Sequence, residues 1–238
     1  MNLKYWRSWF TMSQPRTYLM EVLQKNPHHL RRQTNTTSCV GFIFCLVTIV
    51  CSAPHLVAQQ KDSPSTKYVE AVIETTKGNI RIRLFAQKAP TTVKNFLHYV
   101  DSGCYEGAQF FRTVRMDNQP DSKIKIEVIQ ASANRKHREK FKKAIPLERT
   151  KKTGLAHVDG VLSMGRAKPD SATHHFFICI GDQPELDFGG KRNPDGQGFA
   201  AFGIVTKGMD VVKKIQAGKD TNQQLNEPVK IKNIRRLK

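Results

Sequence analysis

Residues 160–205, GVLSMGRAKPDSATHHFFICIGDQPELDFGGKRNPDGQGFAAFGIV, form the stretch that decides the fold class of this sequence. Three apolar segments, at residues 161–164, 176–180 and 200–205, each have a length suited to a strand of a sheet. The loops between them are rich in Gly, Asn, Asp and Pro, which are the residue types that form turns. The stretch therefore predicts short strands joined by turns.

The segments on either side extend this pattern of short strands. Ile80, Ile82 and Leu84 alternate with two arginines, which is the two-residue period of a half-buried strand. Residues 71–85 therefore predict a β-hairpin. Further strands are predicted at residues 110–114, at residues 124–130, and around Val229 and Ile231.

Only two segments carry the period of a helix. From Pro90, which suits the first turn of a helix, apolar residues recur on one helical face as far as Val100. Residues 209–217 predict a second, shorter helix. Because the strands are many and do not alternate with helices, the sequence predicts a mainly β fold, either a barrel or a sandwich, and not a doubly wound α/β fold.

The charge of the chain is strongly positive. Its 238 residues include 39 Lys and Arg against 20 Asp and Glu, a formal net charge of +19. Such an excess can attract nucleic acid, anionic lipid or acidic proteins, and it is equally consistent with a solvated surface that has no partner. Aromatic residues do not interleave with the basic ones as in a stacking platform, so we expect no nucleic-acid partner. The basic segment at residues 133–152 predicts a solvated loop with a helical turn near residues 139–143.

Residues 1–58 predict an N-terminal leader. Arg31 and Arg32 precede an apolar run at residues 39–51, and a short stretch then leads to the small residue Ala58. This is the order of a secretory signal peptide, with cleavage expected after Ala58. The alternative is an uncleaved membrane anchor whose positive charges stay inside the cell.

The rest of the chain divides into a linker and one folded domain. Residues 59–67, QQKDSPSTK, are polar and contain Pro and Ser, which predicts a flexible linker. Residues 68–238 hold all the predicted strands and helices. We expect a periplasmic or secreted protein if the leader is removed, and a membrane-anchored one if it is retained.

Residues 160–205, together with the upstream triplet Phe110-Phe111-Arg112, resemble the cyclophilin family of peptidyl-prolyl cis/trans isomerases. The run PELDFGGKRNPDGQGFAAFG resembles the bacterial, extracytoplasmic members, and the resemblance extends from Tyr68 to the C-terminus. It implies a closed eight-stranded antiparallel β-barrel capped by two α-helices. It also implies a monomer that acts on proline-containing unfolded proteins or peptides, without a cofactor or a metal, and that meets a membrane only through an uncleaved leader.

The reaction itself indicates what such a site must contain. Amide resonance imposes a barrier of about 18–20 kcal/mol on rotation about the peptide bond. A twisted prolyl nitrogen accepts a hydrogen bond, so a fixed guanidinium beside an apolar pocket stabilises the twisted state selectively. The resemblance implies this role for Arg112, substrate anchoring for Gln130, and the pocket floor for Phe177. It implies further pocket positions for Val128, Gly165, Leu186 and Phe199.

The sequence departs from the family near several of these positions. Glu185 stands where the cyclosporin-sensitive members carry tryptophan, and Phe199 where they carry histidine. His174 and His175 precede the two phenylalanines, where a glutamine is common. As neighbours on a strand, the two histidines are expected to point to opposite faces and therefore not to share a metal ion.

These departures leave other functions open. Taken one at a time, the predicted site residues fit surface or core roles better than functional ones, and it is their order within the matching stretch that favours an enzyme. One alternative is a binding module or chaperone that grips proline-containing peptides with little turnover. Another is a basic adaptor that docks an anionic partner through residues 135–152.

Overall fold

Eight antiparallel strands close into a barrel in the computed structural model, which describes residues 68–237. The leader and the linker predicted for residues 1–58 and 59–67 lie outside the described residues. The strands are β1 (Val69–Thr75), β2 (Gly78–Leu84), β3 (Gln109–Val114), β4 (Val128–Ser132), β5 (Val161–Met164), β6 (Phe176–Cys179), β7 (Ala200–Lys207), β8 (Asp220–Thr221) and β9 (Gln224–Arg236). The helices are α1 (Pro90–Asp101), α2 (Thr150–Thr153) and α3 (Met209–Gln216), with 3₁₀ turns at Arg135–Lys140 and Pro184–Leu186.

The strands follow one another around the barrel in the order β1, β2, β7, β5, β6, β4, β3 and β9, and β9 pairs with β1 to close the ring. Strand β9 reaches both of its neighbours because its first half pairs with β3 and its second half with β1. The two-residue strand β8 forms a hairpin with the start of β9. The closed eight-stranded antiparallel barrel expected from the sequence is confirmed.

The two-residue period of the strands sorts their side chains into an inner and an outer set. On β6, Phe176 and Ile178 belong to the apolar core inside the barrel. On the neighbouring β4, Ile129 and Ala131 belong to the same core. Phe177 on β6 and Gln130 on β4 alternate with these core residues and face the outside of the barrel, where the candidate site lies.

Helices α1 and α3 both bury an apolar face in the core, as the sequence predicts. The ring of Phe96 on α1 lies 5.1 Å from the ring of Phe202 and 5.4 Å from that of Phe176. On α3, Val212 and Ile215 are fully buried. The single turn of α2 was not predicted. No helix within residues 68–237 is long and apolar enough to cross a membrane.

The strand predicted at residues 124–130 begins only at Val128, so the prediction was wrong for its first four residues. The side chain of Gln119 gives the physical reason. Its Nε2 donates to the Ile126 carbonyl at 2.8 Å, and its Oε1 accepts from the Ile126 N–H at 3.3 Å. Because the side-chain amide satisfies these backbone groups, Ile126 does not need a neighbouring strand.

The helical turn of the basic segment at residues 133–152 lies earlier than expected. It was predicted near residues 139–143, and the structure has a 3₁₀ turn at Arg135–Lys140. The side chain of Asn134 accepts from the Lys136 N–H at 3.1 Å and so caps the start of this turn. Most of the basic side chains on the turn are exposed, in agreement with a solvated segment.

Candidate active site

Outward-facing residues of the barrel form a second, smaller apolar cluster. On β6, Phe177 and Cys179 alternate with the core residues and belong to this cluster, beside Val128 of β4. Leu186, in the second 3₁₀ turn, is fully buried in it. Phe199 packs at its margin, with its ring 5.3 Å from that of Phe177. The structure therefore brings together four of the residues predicted to line a pocket.

Two of the other predicted residues, Arg112 and Gln130, lie in a row that crosses the strands to Phe177, and the third, Gly165, borders this row. Arg112 on β3 pairs with Gln130 on β4, and Gln130 pairs with Phe177 on β6. Arg112 Nη1 donates to Gln130 Oε1 at 3.0 Å. A Cβ atom on Gly165 would lie 3.2 Å from Gln130 Nε2, so Gly165 borders the same row. All seven residues thus lie in one region, and the roles assigned to them stay predictions.

Neutral partners hold the Arg112 guanidinium. It donates once to Gln130, and twice to Gln223 Oε1, from Nε at 3.1 Å and from Nη2 at 2.5 Å. Burial, and secondarily the nearby charge of Arg192, lowers the pKa of Arg112 to about 10, so the side chain stays charged at neutral pH. A guanidinium has five N–H donors in total. Two of them are therefore left for a ligand.

Sequence analysis missed Gln223, because it lies 111 residues from Arg112 and only the fold brings the two together. It stands in the two-residue turn between β8 and β9. Asn222 and Gln223 have φ values of 51° and 68°, the left-handed conformation that such a turn requires and that Gly adopts most easily. A glutamine at this position costs backbone strain, and its side chain holds the Arg112 guanidinium. The sequence feature that could have pointed to Gln223 is an Asn-Gln pair at a tight turn, where Gly is the more usual residue.

Arg166 was also missed, and it fixes the wall that contains Phe199. Its Nη1 and Nη2 each donate to the Asp195 carboxylate at 2.8 Å, and its Nε donates to the Gly198 carbonyl at 2.7 Å. The guanidinium carbon lies 5.0 Å from the centroid of the Phe199 ring. The hydrogen bonds from Arg166 lower the pKa of Asp195. This bidentate pair holds the loop at residues 187–198 against the pocket.

A row of Ser163, His157 and Asp187 lies behind Phe177. His157 Nδ1 lies 2.6 Å from Asp187 Oδ1, and His157 Nε2 lies 2.9 Å from Ser163 Oγ. The His157 ring stacks on that of Phe177 at a centroid distance of 6.2 Å. Because Ser163 is fully buried, its hydroxyl is out of reach of a substrate and the row is not a nucleophilic triad. It supports Phe177 instead.

Comparison with known proteins gives this geometry a family. The sequence profile described as "Cyclophilin type peptidyl-prolyl cis-trans isomerase/CLD" matches residues 70–236. The chain belongs to the cyclophilin-type isomerases. The enzyme class predicted from the sequence, a peptidyl-prolyl cis/trans isomerase, is thereby confirmed.

Relatives of this cyclophilin include bacterial enzymes. It is 33% identical over 171 residues to peptidyl-prolyl cis-trans isomerase A of Dickeya dadantii, a match that covers 71% of this chain and 83% of the relative. It is 36% identical over 143 residues to peptidyl-prolyl cis-trans isomerase B of Escherichia coli, covering 60% and 80% of the two chains. A crystal structure of a cyclophilin-type isomerase of Cryptosporidium parvum shares the fold, with a TM-score of 0.57 at 20% identity, and covers 72% of this chain and 98% of the other.

The His174-His175 pair of this cyclophilin differs from the prediction. The two residues precede β6, and their ring centroids lie 4.4 Å apart. The alternation of a strand therefore does not apply to them, and the expectation of opposite faces was wrong. His175 lies beside Gly165, so the pair borders the candidate site. Residues 68–237 contain no group of three or more His, Cys, Asp or Glu side chains that could hold a metal ion.

Protonation of this pair should oppose folding. Burial is the main cause that lowers the pKa of both His174 and His175 to about 4, and the charge of Arg135 acts in the same direction. A histidine in the unfolded chain has a pKa near 6.5, so the unfolded state binds more protons between about pH 6.5 and 4. The stabilisation that depends on the neutral pair is complete above about pH 6.5 and is lost as the pH falls toward about 4.

Urea unfolding at several pH values between about 7 and 4.5 tests this linkage. The double variant His174→Asn/His175→Gln should show a smaller loss of unfolding free energy over this range than the unsubstituted chain, because it lacks the two groups that protonate on unfolding. His137→Asn, which changes a histidine outside the pair, should retain the full loss. Equal pH dependence in all three proteins would contradict the assignment.

Gln223→Gly should lower activity without a matching loss of stability. Relief of the left-handed strain, roughly 1–2 kcal/mol, offsets the lost hydrogen bonds, so the unfolding free energy should change by less than about 1 kcal/mol. With Gln223 Oε1 gone, the Arg112 guanidinium is less well held, and kcat/KM for a proline tetrapeptide should fall about fivefold or more. Asn222→Gly relieves the same kind of strain away from Arg112 and should keep full activity. If both variants are equally active, Gln223 does not position Arg112.

Proposed function

We propose that residues 68–237 accelerate rotation about X–Pro bonds in unfolded or proline-containing proteins at the Arg112 site, and that this activity assists their folding. The observation that carries the proposal is the Arg112 guanidinium, which keeps two N–H donors for a ligand beside the apolar cluster around Phe177. Family membership supports the reaction class, because the relatives are named as isomerases of this kind.

The geometry suits each requirement of the reaction. The proline ring would lie against the apolar cluster, where Phe177, Leu186 and Phe199 exclude water. Gln130 gives its Oε1 to Arg112 and is not engaged at Nε2 by the described residues, so Nε2 can donate to a carbonyl of the substrate. The remaining Arg112 donors would bond to the prolyl nitrogen once the amide has twisted, since only then does the nitrogen accept a hydrogen bond. This differential contact lowers the barrier.

Substitution of Arg112 tests the mechanism. Arg112→Ala should lower kcat/KM for a proline tetrapeptide by at least about tenfold, which corresponds to roughly 1.4 kcal/mol of barrier. Arg112→Lys keeps the charge but loses the planar fork, so its kcat/KM should lie between that of the wild-type chain and that of Arg112→Ala. Arg138→Ala removes an exposed arginine outside the site and serves as the control. The assay follows cis/trans isomerisation without a coupled protease.

The outcomes of this assay separate the candidate functions. Wild-type activity in Arg112→Ala, with the fold intact, would contradict the mechanism. An inactive wild-type protein that still binds proline peptides would favour the binding module with little turnover. In that case calorimetry should show that peptide affinity depends on Phe177, which lies in the apolar cluster.

We further propose that the mature protein is a periplasmic or secreted monomer. The support is the order of residues before Ala58, with Arg31 and Arg32 followed by an apolar run, as in a signal peptide. Mass spectrometry of the protein purified from cells should find a mature chain that begins at Gln59, and light scattering should give the mass of one copy. Recovery of the intact chain in the cytoplasm would contradict the location, and recovery in the membrane would favour the anchor.

A further inference from the structure

Arg192 joins two segments that border the apolar cluster around Phe177, one at residues 185–186 and one at residues 122–126, which together are called the rim. Its backbone N–H donates at 3.1 Å to the carbonyl of Glu185, the residue before Leu186 of the apolar cluster. Its Nη1 donates to Ser122 Oγ at 2.7 Å and to the Ile124 carbonyl at 2.5 Å, in the loop between β3 and β4. The guanidinium is therefore held at the rim by the loop between β3 and β4, and the Arg192 backbone is held by Glu185.

The site contains two partly buried cations whose partners are neutral. The side-chain oxygens of Gln130 and Gln223 accept from Arg112, and a hydroxyl and a backbone carbonyl accept from Arg192. Among the described residues, neither arginine forms an ion pair. The two guanidinium groups are close enough for the charge of Arg192 to lower the pKa of Arg112, and burial lowers the pKa of Arg192 itself.

Among the described residues, no carboxylate near this rim in sequence pairs with Arg192. Asp121, beside Ser122, is exposed and forms no ion pair, and three other carboxylates bond to other groups. Glu185 accepts from the backbone N–H of Lys191 at 2.7 Å, and Asp187 bonds to His157. Glu127 accepts from an amide side chain of α3 at 3.1 Å. Two like charges in a partly dehydrated site repel each other, and an anion bound to Arg192 would offset this repulsion. The site thus has an uncompensated positive charge that a substrate group can neutralise.

We propose that Arg192 gives this isomerase a preference for substrates that carry an anionic side chain, a carboxylate or a phosphate, next to the proline. The inference rests on the proposed function, because it uses the same pocket. Arg192 binds the anionic group at the rim while Arg112 acts on the prolyl nitrogen. The planar fork of Arg192 can bond to two oxygens of either group.

Matched peptides measure this preference. Tetrapeptides with Glu or Gln directly before or directly after the proline differ in charge and hardly in shape, and a second pair carries phosphoserine or serine. The readout is the ratio of kcat/KM for the anionic peptide to that for its neutral partner, so general damage to the enzyme cancels. In the wild-type chain we expect a ratio of about five or more for at least one position.

Three variants separate direct contact from other causes. Arg192→Gln should bring the ratio close to one. Lys123→Gln removes an equal charge from an exposed position in the neighbouring loop and should keep the wild-type ratio. Ser122→Ala removes a loop contact of Arg192 but leaves its charge, and should also keep most of the ratio. Measurements at about 0.15 M salt confine long-range attraction to about 8 Å.

The outcomes are distinct. A wild-type ratio of one for every pair, or a ratio that survives Arg192→Gln, overturns the proposal. If Lys123→Gln lowers the ratio as much as Arg192→Gln does, the proposal is also overturned, since net charge alone would then explain the preference. A preference limited to the phosphoserine pair supports the site with phosphate as its anion, and one shared by Glu supports carboxylate. If no peptide is turned over, the proposed function fails separately, and the same ratios are then measured as calorimetric affinities.

Discussion

Strands β4 and β6 must satisfy two apolar environments at once, and this constraint organises the whole molecule. Phe176 and Phe177 are adjacent in the chain, yet one packs in the barrel core and the other in the outer cluster. A slip of one residue in register would exchange them and expose each set to the wrong surroundings. The core and the pocket are therefore built from the same strands, and the position of the site follows directly from the register of the barrel.

The neutral partners of Arg112 suit the role proposed for it. A carboxylate would hold a guanidinium more strongly than an amide does, but it would also neutralise the charge that the proposed mechanism directs at the substrate. Two glutamine oxygens fix the orientation of Arg112 and leave its charge available. The cost is a non-glycine residue with positive φ at Gln223, which is the kind of strain that folded proteins retain near functional sites.

Strand and helix periods are local properties that a single chain displays, and they predicted a mainly β fold, a barrel or a sandwich, with two helices. The closed barrel and the site residues were implied by the resemblance to the cyclophilin family. The sequence did not reveal contacts made across the fold. Gln223 lies in no motif, and nothing in the run that contains Arg192 singles this arginine out. Their contacts are hydrogen bonds to residues far away in the chain. The late start of β4 was hidden for a similar reason, since a side chain, Gln119, replaces the strand partner. The geometry of His174-His175 depended on where β6 begins, and strand boundaries are poorly marked in sequence.

Closure of the ring between β1 and β9 has a consequence for how a polypeptide can be recognised. Many proteins bind an extended chain by adding it as a new strand to an open sheet edge, which reads several residues through backbone hydrogen bonds. In residues 68–237 the eight barrel strands are each paired on both sides, and only the two-residue β8 ends the order. A polypeptide bound at the candidate site would then be held by side chains and loops on one outer face of the barrel. Such a surface reads a short local feature rather than a long segment, so it suits an enzyme that meets many unrelated sequences and releases each of them quickly.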